Sequence, residues 1–135
     1  MGPGFLLDTN IAIYFLDAKL SEVGRSYVQN ALNSDKGNLS IISKMELLGW
    51  KFAFQEEALK AKQFVDDLTV LNLSDEIVEN TIEIRKNHPK TKLPDAIIAA
   101  TAISHDLTLI TRNSPDFANI SGLKIVDPFD LEGIE

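Results

Sequence analysis

The stretch Lys92-Leu93-Pro94-Asp95-Ala96-Ile97-Ile98-Ala99-Ala100-Thr101-Ala102 leads on to Leu107-Thr108-Leu109-Ile110-Thr111-Arg112-Asn113, and the change of pattern between the two decides the fold. Pro94 suits the first turn of a helix, and its ring pushes Leu93 toward an extended conformation. A helix is expected over about 94–105, then a short apolar strand over about 107–111. Further strands are expected at about 4–8, 39–42, 69–73 and 123–126, and helices at about 9–17, 21–33, 43–53, 55–67 and 75–87. Ser74 is placed to cap the helix that opens at Asp75. Asn87-His88-Pro89 ends that helix, and Asn33-Ser34-Asp35-Lys36-Gly37 reads as a loop. Strands separated by helices imply a parallel sheet covered on both faces, and uninterrupted apolar strands fit burial on both sides. No repeat or interdomain linker is visible, so residues 1–135 read as one α/β domain.

That topology gives the acidic residues a meaning. In such a sheet, strand carboxyl ends and helix amino ends share one rim, where ligands bind. Asp8 ends the first strand. Glu46 and Asp95 fall in first turns of helices, and Asn113 and Asp116 follow a strand directly. Two carboxylates about 4 Å apart repel by roughly 4 kcal/mol at an effective dielectric near 20. Several together must bind protons or capture a cation, and hard oxygen donors suit Mg²⁺ or Mn²⁺ in one or two ions. Each acid also has a plainer role: Asp8 or Asp95 as a helix-start residue, Glu46 as a surface acid. Asp75 passes the same positional test, and its place at a helix amino end explains it.

Competing chemistries are poorly supplied. The chain has no cysteine and two histidines, which excludes thiolate zinc sites and leaves little for a nucleophile–histidine pair. It has no Gly-x-Gly-x-x-Gly and no phosphate loop ending in Lys-Ser or Lys-Thr. No apolar run is long enough to cross a membrane, and Met1-Gly2-Pro3-Gly4 lacks the basic start of a secretory signal, so a cytoplasmic location fits. Hydrophobic residues make up 44% of the 135, enough for a core. The net charge of −7 argues against a polyanionic partner, but bound cations would offset it locally. Arg85, Lys86, Lys90 and Lys92, with His88, also crowd the segment before Asp95.

Four segments together resemble the PIN-domain family. They are Phe5-Leu6-Leu7-Asp8-Thr9-Asn10, Ser43-Lys44-Met45-Glu46-Leu47, the Asp95 segment, and Leu109-Ile110-Thr111-Arg112-Asn113-Ser114-Pro115-Asp116-Phe117. The resemblance is nearest to VapC-type toxins of bacterial toxin–antitoxin pairs. It implies an α/β/α sandwich on a five-stranded parallel sheet and a Mg²⁺- or Mn²⁺-dependent endoribonuclease. Asp8, Glu46 and Asp95 then become catalytic metal ligands, with Asp116 as the fourth acid and Asn113 as a neutral ligand or water-orienting group. Thr9 and Thr111 would orient carboxylates, with Asn10 beside them. Lys44, Arg85, Lys90, Lys92 and Arg112 are the candidate contacts to single-stranded or looped RNA. A cognate antitoxin and a homodimer are also implied, and Trp50 and Phe54, four apart on an expected helix face, are candidates for partner contact. Two rival readings stand beside this one. The first is a catalytically idle PIN-like module that binds RNA or protein. The second is a HAD-like phosphatase, which would want a second Asp where this chain has Asn10.

Overall fold

A computed structural model describes residues 4–33 and 37–131. Of the loop expected over Asn33–Gly37, residues 34–36 lie outside the described residues, as do residues 1–3, while Asn33 ends a helix and Gly37 opens a strand. In chain order the elements are β1 (Phe5–Leu7), α1 (Thr9–Leu16), α2 (Glu22–Asn33), β2 (Gly37–Ser40), α3 (Ile41–Leu48), α4 (Gln55–Asp66), β3 (Thr69–Leu71), α5 (Asp75–Asn87), α6 (Leu93–Ser104), β4 (Thr108–Ile110), α7 (Ser114–Phe117) and β5 (Lys124–Val126). The five strands form an all-parallel sheet in the order β3-β2-β1-β4-β5. This is the sandwich expected from the alternating pattern.

Neighbouring residues of one strand point to opposite faces, and the core divides accordingly. Leu6 and Leu109 pack with Ile77 and Ile84 of α5, Ala96, Ile98, Ala99, Ala100 and Ala102 of α6 and Phe117 of α7. Leu7, Leu39 and Ile110 face the other way, onto Ile11, Val28, Leu47 and Val65 from α1 to α4. Helix α6 is apolar all round because residues 96–102 are all buried. Thr101 is tolerated there because its hydroxyl donates to the Ile97 carbonyl at 2.7 Å. Among the described residues no helix is long and apolar enough to cross a membrane.

Several boundaries differ from expectation, each for a local reason. Ile41 and Ile42 read as strand, yet they open α3 because the Ser40 side chain accepts from the Ile42 N–H at 3.1 Å. The helix therefore starts earlier and places Glu46 in its second turn. It also ends earlier, at Leu48 with Gly49 as its cap, so Trp50 and Phe54 do not share a helix face. Leu93 is helical rather than extended. The extended residue is Lys92 (φ −69°, ψ 151°), one position before it. Ser74 caps α5 as expected, accepting from the Ile77 N–H at 3.1 Å.

The segment beyond β5 is packed down as well. A β-carbon at Gly24, on α2, would sit 2.4 Å from the Pro128 carbonyl oxygen. In an exposed helix Gly→Ala stabilises by about 1 kcal/mol. Here overpacking reverses the sign, and Gly24→Ala should cost about 1–3 kcal/mol. Urea denaturation would show a lower midpoint; an unchanged or higher one would contradict this packing.

Candidate active site

The carboxyl edge of the sheet positions the site. Asp8 follows β1 in extended conformation (φ −64°, ψ 149°) at the amino end of α1. Its carboxylate takes the adjacent Thr9 N–H but reaches no further into the helix, and it turns toward the neighbouring strand. The β1–β4 register pairs Leu7 with Ile110, which sets Asp8 beside Thr111. The Asp8 N–H donates to the Ile110 carbonyl at 2.9 Å, and the Thr111 hydroxyl donates to Asp8 Oδ2 at 2.8 Å. The Thr111 oxygen in turn accepts from the Asn113 N–H at 3.0 Å.

A second threonine repeats this arrangement. The Thr9 hydroxyl donates to Glu46 Oε1 at 2.6 Å and lies 2.7 Å from Ser43 Oγ. Thr9 has one proton and gives it to the carboxylate, so Ser43 must donate to the Thr9 oxygen. Both threonines are buried, and both are fixed from behind while they hold an acid from the front.

The acids oppose one another. Burial first, then the nearby charges of Asp95 and Glu46, raise the Asp8 carboxyl above its ordinary value, against hydrogen bonds from the Thr111 hydroxyl and the Thr9 N–H that lower it. Asp95 is also raised, by burial and then by Asp116 and Glu46, with Lys92 pulling the other way. No salt bridge to any of the four acids occurs among the described residues. All four line one open cleft of about 1020 Å³. Among the described residues no three of these side chains close into a ready-made coordination shell. They face one another at a separation where charge is still felt. Oxygen donors of this kind, gathered on one cleft, suit a hydrated Mg²⁺ or Mn²⁺, which keeps several waters and takes few protein ligands directly.

Most of the residues singled out in the sequence meet here. Asp8, Thr9, Asn10, Glu46, Asp95, Asn113 and Asp116 line the cleft, with Lys90 and Lys92 on the loop between α5 and α6. Asn113 and Asp116 therefore both face it, and Asp116 is the one whose charge reaches Asp95. Thr111 lies buried beneath. Three of the expected basic contacts stand apart. Arg85 lines a separate depression with Ile82 and Leu93, Arg112 lies against two aromatic rings, and Lys44 is exposed outside the cleft lining. Sequence reasoning gave no role to Ser43 or Asn119, none to Asn87 beyond ending its helix, and none to His88 beyond that and the basic cluster. Ser43 was findable, since it precedes Glu46 by three residues and so shares its helix face.

The PIN-domain profile matches residues 5–123, a span that takes in every acid of the cleft. The chain belongs to the PIN-domain family. A tRNA(fMet)-specific endonuclease VapC of Shigella flexneri is 30% identical over 130 residues, covering 91% of this chain and 96% of that protein. Among solved structures, a toxin–antitoxin complex from Klebsiella pneumoniae matches at 36% identity and a TM-score of 0.72, covering 93% of this chain and 98% of that one. DNA-bound VapBC from Salmonella typhimurium matches at 27% identity and a TM-score of 0.79, covering 94% and 99%. The PIN domain described here is thus similar to VapC proteins over nearly its whole length.

The raised carboxyls have a consequence for stability. Between the ordinary value of 3.8 and the raised folded value, the folded state binds more protons than the unfolded one. Stability from Asp8 is therefore present at low pH and lost as pH rises through the folded value. Asp8→Asn, which keeps an oxygen for Thr111, should raise the melting temperature of EDTA-treated protein at neutral pH. The gain should vanish in acid, where Asp8 is protonated in both states. A variant less stable than the parent at neutral pH would refute the mutual repulsion.

Proposed function

We propose that this PIN domain is a Mg²⁺- or Mn²⁺-dependent endoribonuclease and the toxin of a toxin–antitoxin pair. The observation that carries the reading is the set of four carboxylates around one cleft, without salt-bridge partners among the described residues and with Lys90 and Lys92 on its wall. Asp8, Glu46, Asp95 and Asp116 would hold the cation, with Asn113 beside them. A bound divalent ion supplies a Lewis acid that activates water and stabilises charge on phosphoryl oxygens.

The chain's own residues do the rest. Thr111 and Thr9 fix the carboxylates of Asp8 and Glu46, so little reorganisation is left for the reaction itself. Asp8 and Asp95 accept hydrogen bonds from the attacking water, and one of them takes up the single proton it loses. Water oxygen joins phosphorus as one P–O bond of the RNA backbone breaks, and the leaving oxygen takes a proton from solvent. Lys90 and Lys92 hold flanking phosphates and set the strand's direction. Single-stranded or looped RNA is the substrate class, because its backbone and bases are accessible. The name of the Shigella relative makes initiator transfer RNA the first substrate to try.

The antitoxin belongs to the same reading, since similar solved structures are toxin–antitoxin complexes. A groove of about 500 Å³ lined by Leu16, Leu47, Phe52 and Ala53 shares Ile13, Glu46 and Trp50 with the cleft. Trp50 lines this groove and is 70% exposed, so a docked segment there would cover it and reach toward the acids, with the exposed Phe54 next to Ala53 in sequence. A homodimer would use another surface, where Val78, Ile82 and Leu93 are exposed on α5 and α6. Nothing in the cleft favours the phosphatase or the idle module over the nuclease.

The test is cleavage of transfer and ribosomal RNAs by purified protein. EDTA should stop it and Mg²⁺ or Mn²⁺ restore it. Asp95→Asn should lower the rate on the order of 100-fold or more while leaving the circular dichroism unchanged. Undiminished cleavage by that variant would reject the assignment.

A further inference from the structure

We propose that Arg112, Tyr14 and Phe129 form a staple that keeps the acids of the cleft in register. Arg112 is then a positioning residue rather than a phosphate contact, and the segment around Phe129 is needed for activity. The inference rests on the nuclease reading above.

The guanidinium carbon of Arg112 lies 4.3 Å from the centre of the Phe129 ring and 5.4 Å from that of Tyr14. Its Nη1 donates to the Tyr14 hydroxyl at 3.3 Å. The two rings meet edge to face at 5.2 Å. A planar guanidinium stacks on rings in a way an ammonium does not. Arg112 is exposed and makes no salt bridge among the described residues, so the Tyr14 hydroxyl and the two ring faces are the protein groups its guanidinium meets.

Three separate pieces of chain converge on this cluster. Tyr14 belongs to α1, which starts at Thr9 directly after Asp8. Arg112 sits between Thr111, which holds Asp8, and Asn113, which lines the cleft. Phe129 belongs to the segment beyond β5. Its N–H donates to Asp127 Oδ1 at 2.8 Å, and the preceding Pro128 carbonyl rests against Gly24. The staple therefore ties together the two strand exits that the Asp8–Thr111 bond must keep in line. Asp8 is buried among like charges that push it away, so a loose Thr111 would let it move. Neither Arg112 nor Phe129 lines the cleft, although Asn113 does.

The experiment compares the parent with Arg112→Ala, Phe129→Ala and Phe129→Leu. It reads kcat and KM for RNA cleavage, the salt dependence of KM, and Mn²⁺ affinity. Mn²⁺ alone is titrated against the fluorescence of Trp50, the one tryptophan, which lines the cleft. Arg112→Ala and Phe129→Ala should each lower kcat and weaken Mn²⁺ binding by about 10-fold. KM and its salt slope should not change. Phe129→Leu keeps apolar volume but loses the ring face, and should fall between; it carries the test should Phe129→Ala fail to fold. A raised KM and a salt slope smaller by about one in Arg112→Ala, with parental behaviour in both Phe129 variants, would make Arg112 a phosphate contact and overturn the proposal. Parental kcat and Mn²⁺ affinity in all variants would overturn it too. A parent that binds Mn²⁺ but cuts no RNA rejects the nuclease reading, and the Mn²⁺ titrations still decide the staple. A parent that does neither overturns both.

Discussion

The hydrogen bond from the Thr111 hydroxyl to Asp8 holds a carboxylate where burial and two neighbouring acids all disfavour its charge. A bond of that kind, to a charged acceptor, is worth roughly 1.5–3 kcal/mol. It can only be made if β1 and β4 are adjacent, parallel and in the register that pairs Leu7 with Ile110. The central strand order of the sheet and the geometry of the cleft are thus one constraint seen from two sides. Moving β4 by one residue would take Thr111 away from Asp8 and turn Leu109 and Ile110 to the wrong faces.

Around that bond the protein accepts local cost for a functional surface. Four acids share a rim without a salt bridge among the described residues, and two of them are held above their ordinary proton affinity. The two apolar layers beneath supply the stability that makes this tolerable, above all the fully buried run of α6 that carries Asp95 at its start. Proteins commonly break local rules of charge and polarity at functional sites while keeping them elsewhere. Here the break is confined to one edge, and the buried polar side chains under it are satisfied among the described residues.

The division of the basic residues follows from the same architecture. Lys90 and Lys92 sit on the loop that leads into α6, so the helix that delivers Asp95 also sets a positive wall beside it. Arg85 and Lys86 precede that loop on α5 and face another way. Arg112 follows a central strand but bends back onto Tyr14 and Phe129. Clustering in sequence therefore overstated how many cations share the cleft, because helix rotation separates residues only a few positions apart.

Pattern alone was enough for the five strands, the parallel sheet and the rim on which Asp8, Glu46, Asp95 and Asp116 lie, since alternation of apolar runs and amphipathic stretches permits few other arrangements. The Ser74 cap and the apolar helix after Asp95 were equally plain, because each depends on neighbours in the chain. What depends on distant neighbours was not. Thr9 and Thr111 were legible as residues that orient carboxylates, but not which acid each one holds, and the Ser43–Thr9 contact, the Thr111–Asp8 bond and the fate of Arg112 join residues that are 34, 103 and 98 positions apart. The early start of α3 was missed because Ile41 and Ile42 favour strand by their side chains, while one serine hydroxyl starts a helix there instead. Local sequence thus determined which elements form and which edge carries the acids. Tertiary structure decided which hydroxyl holds which carboxylate and which cations reach them, because hydrogen bonds and ring contacts depend on ångström-scale positions that only packing fixes.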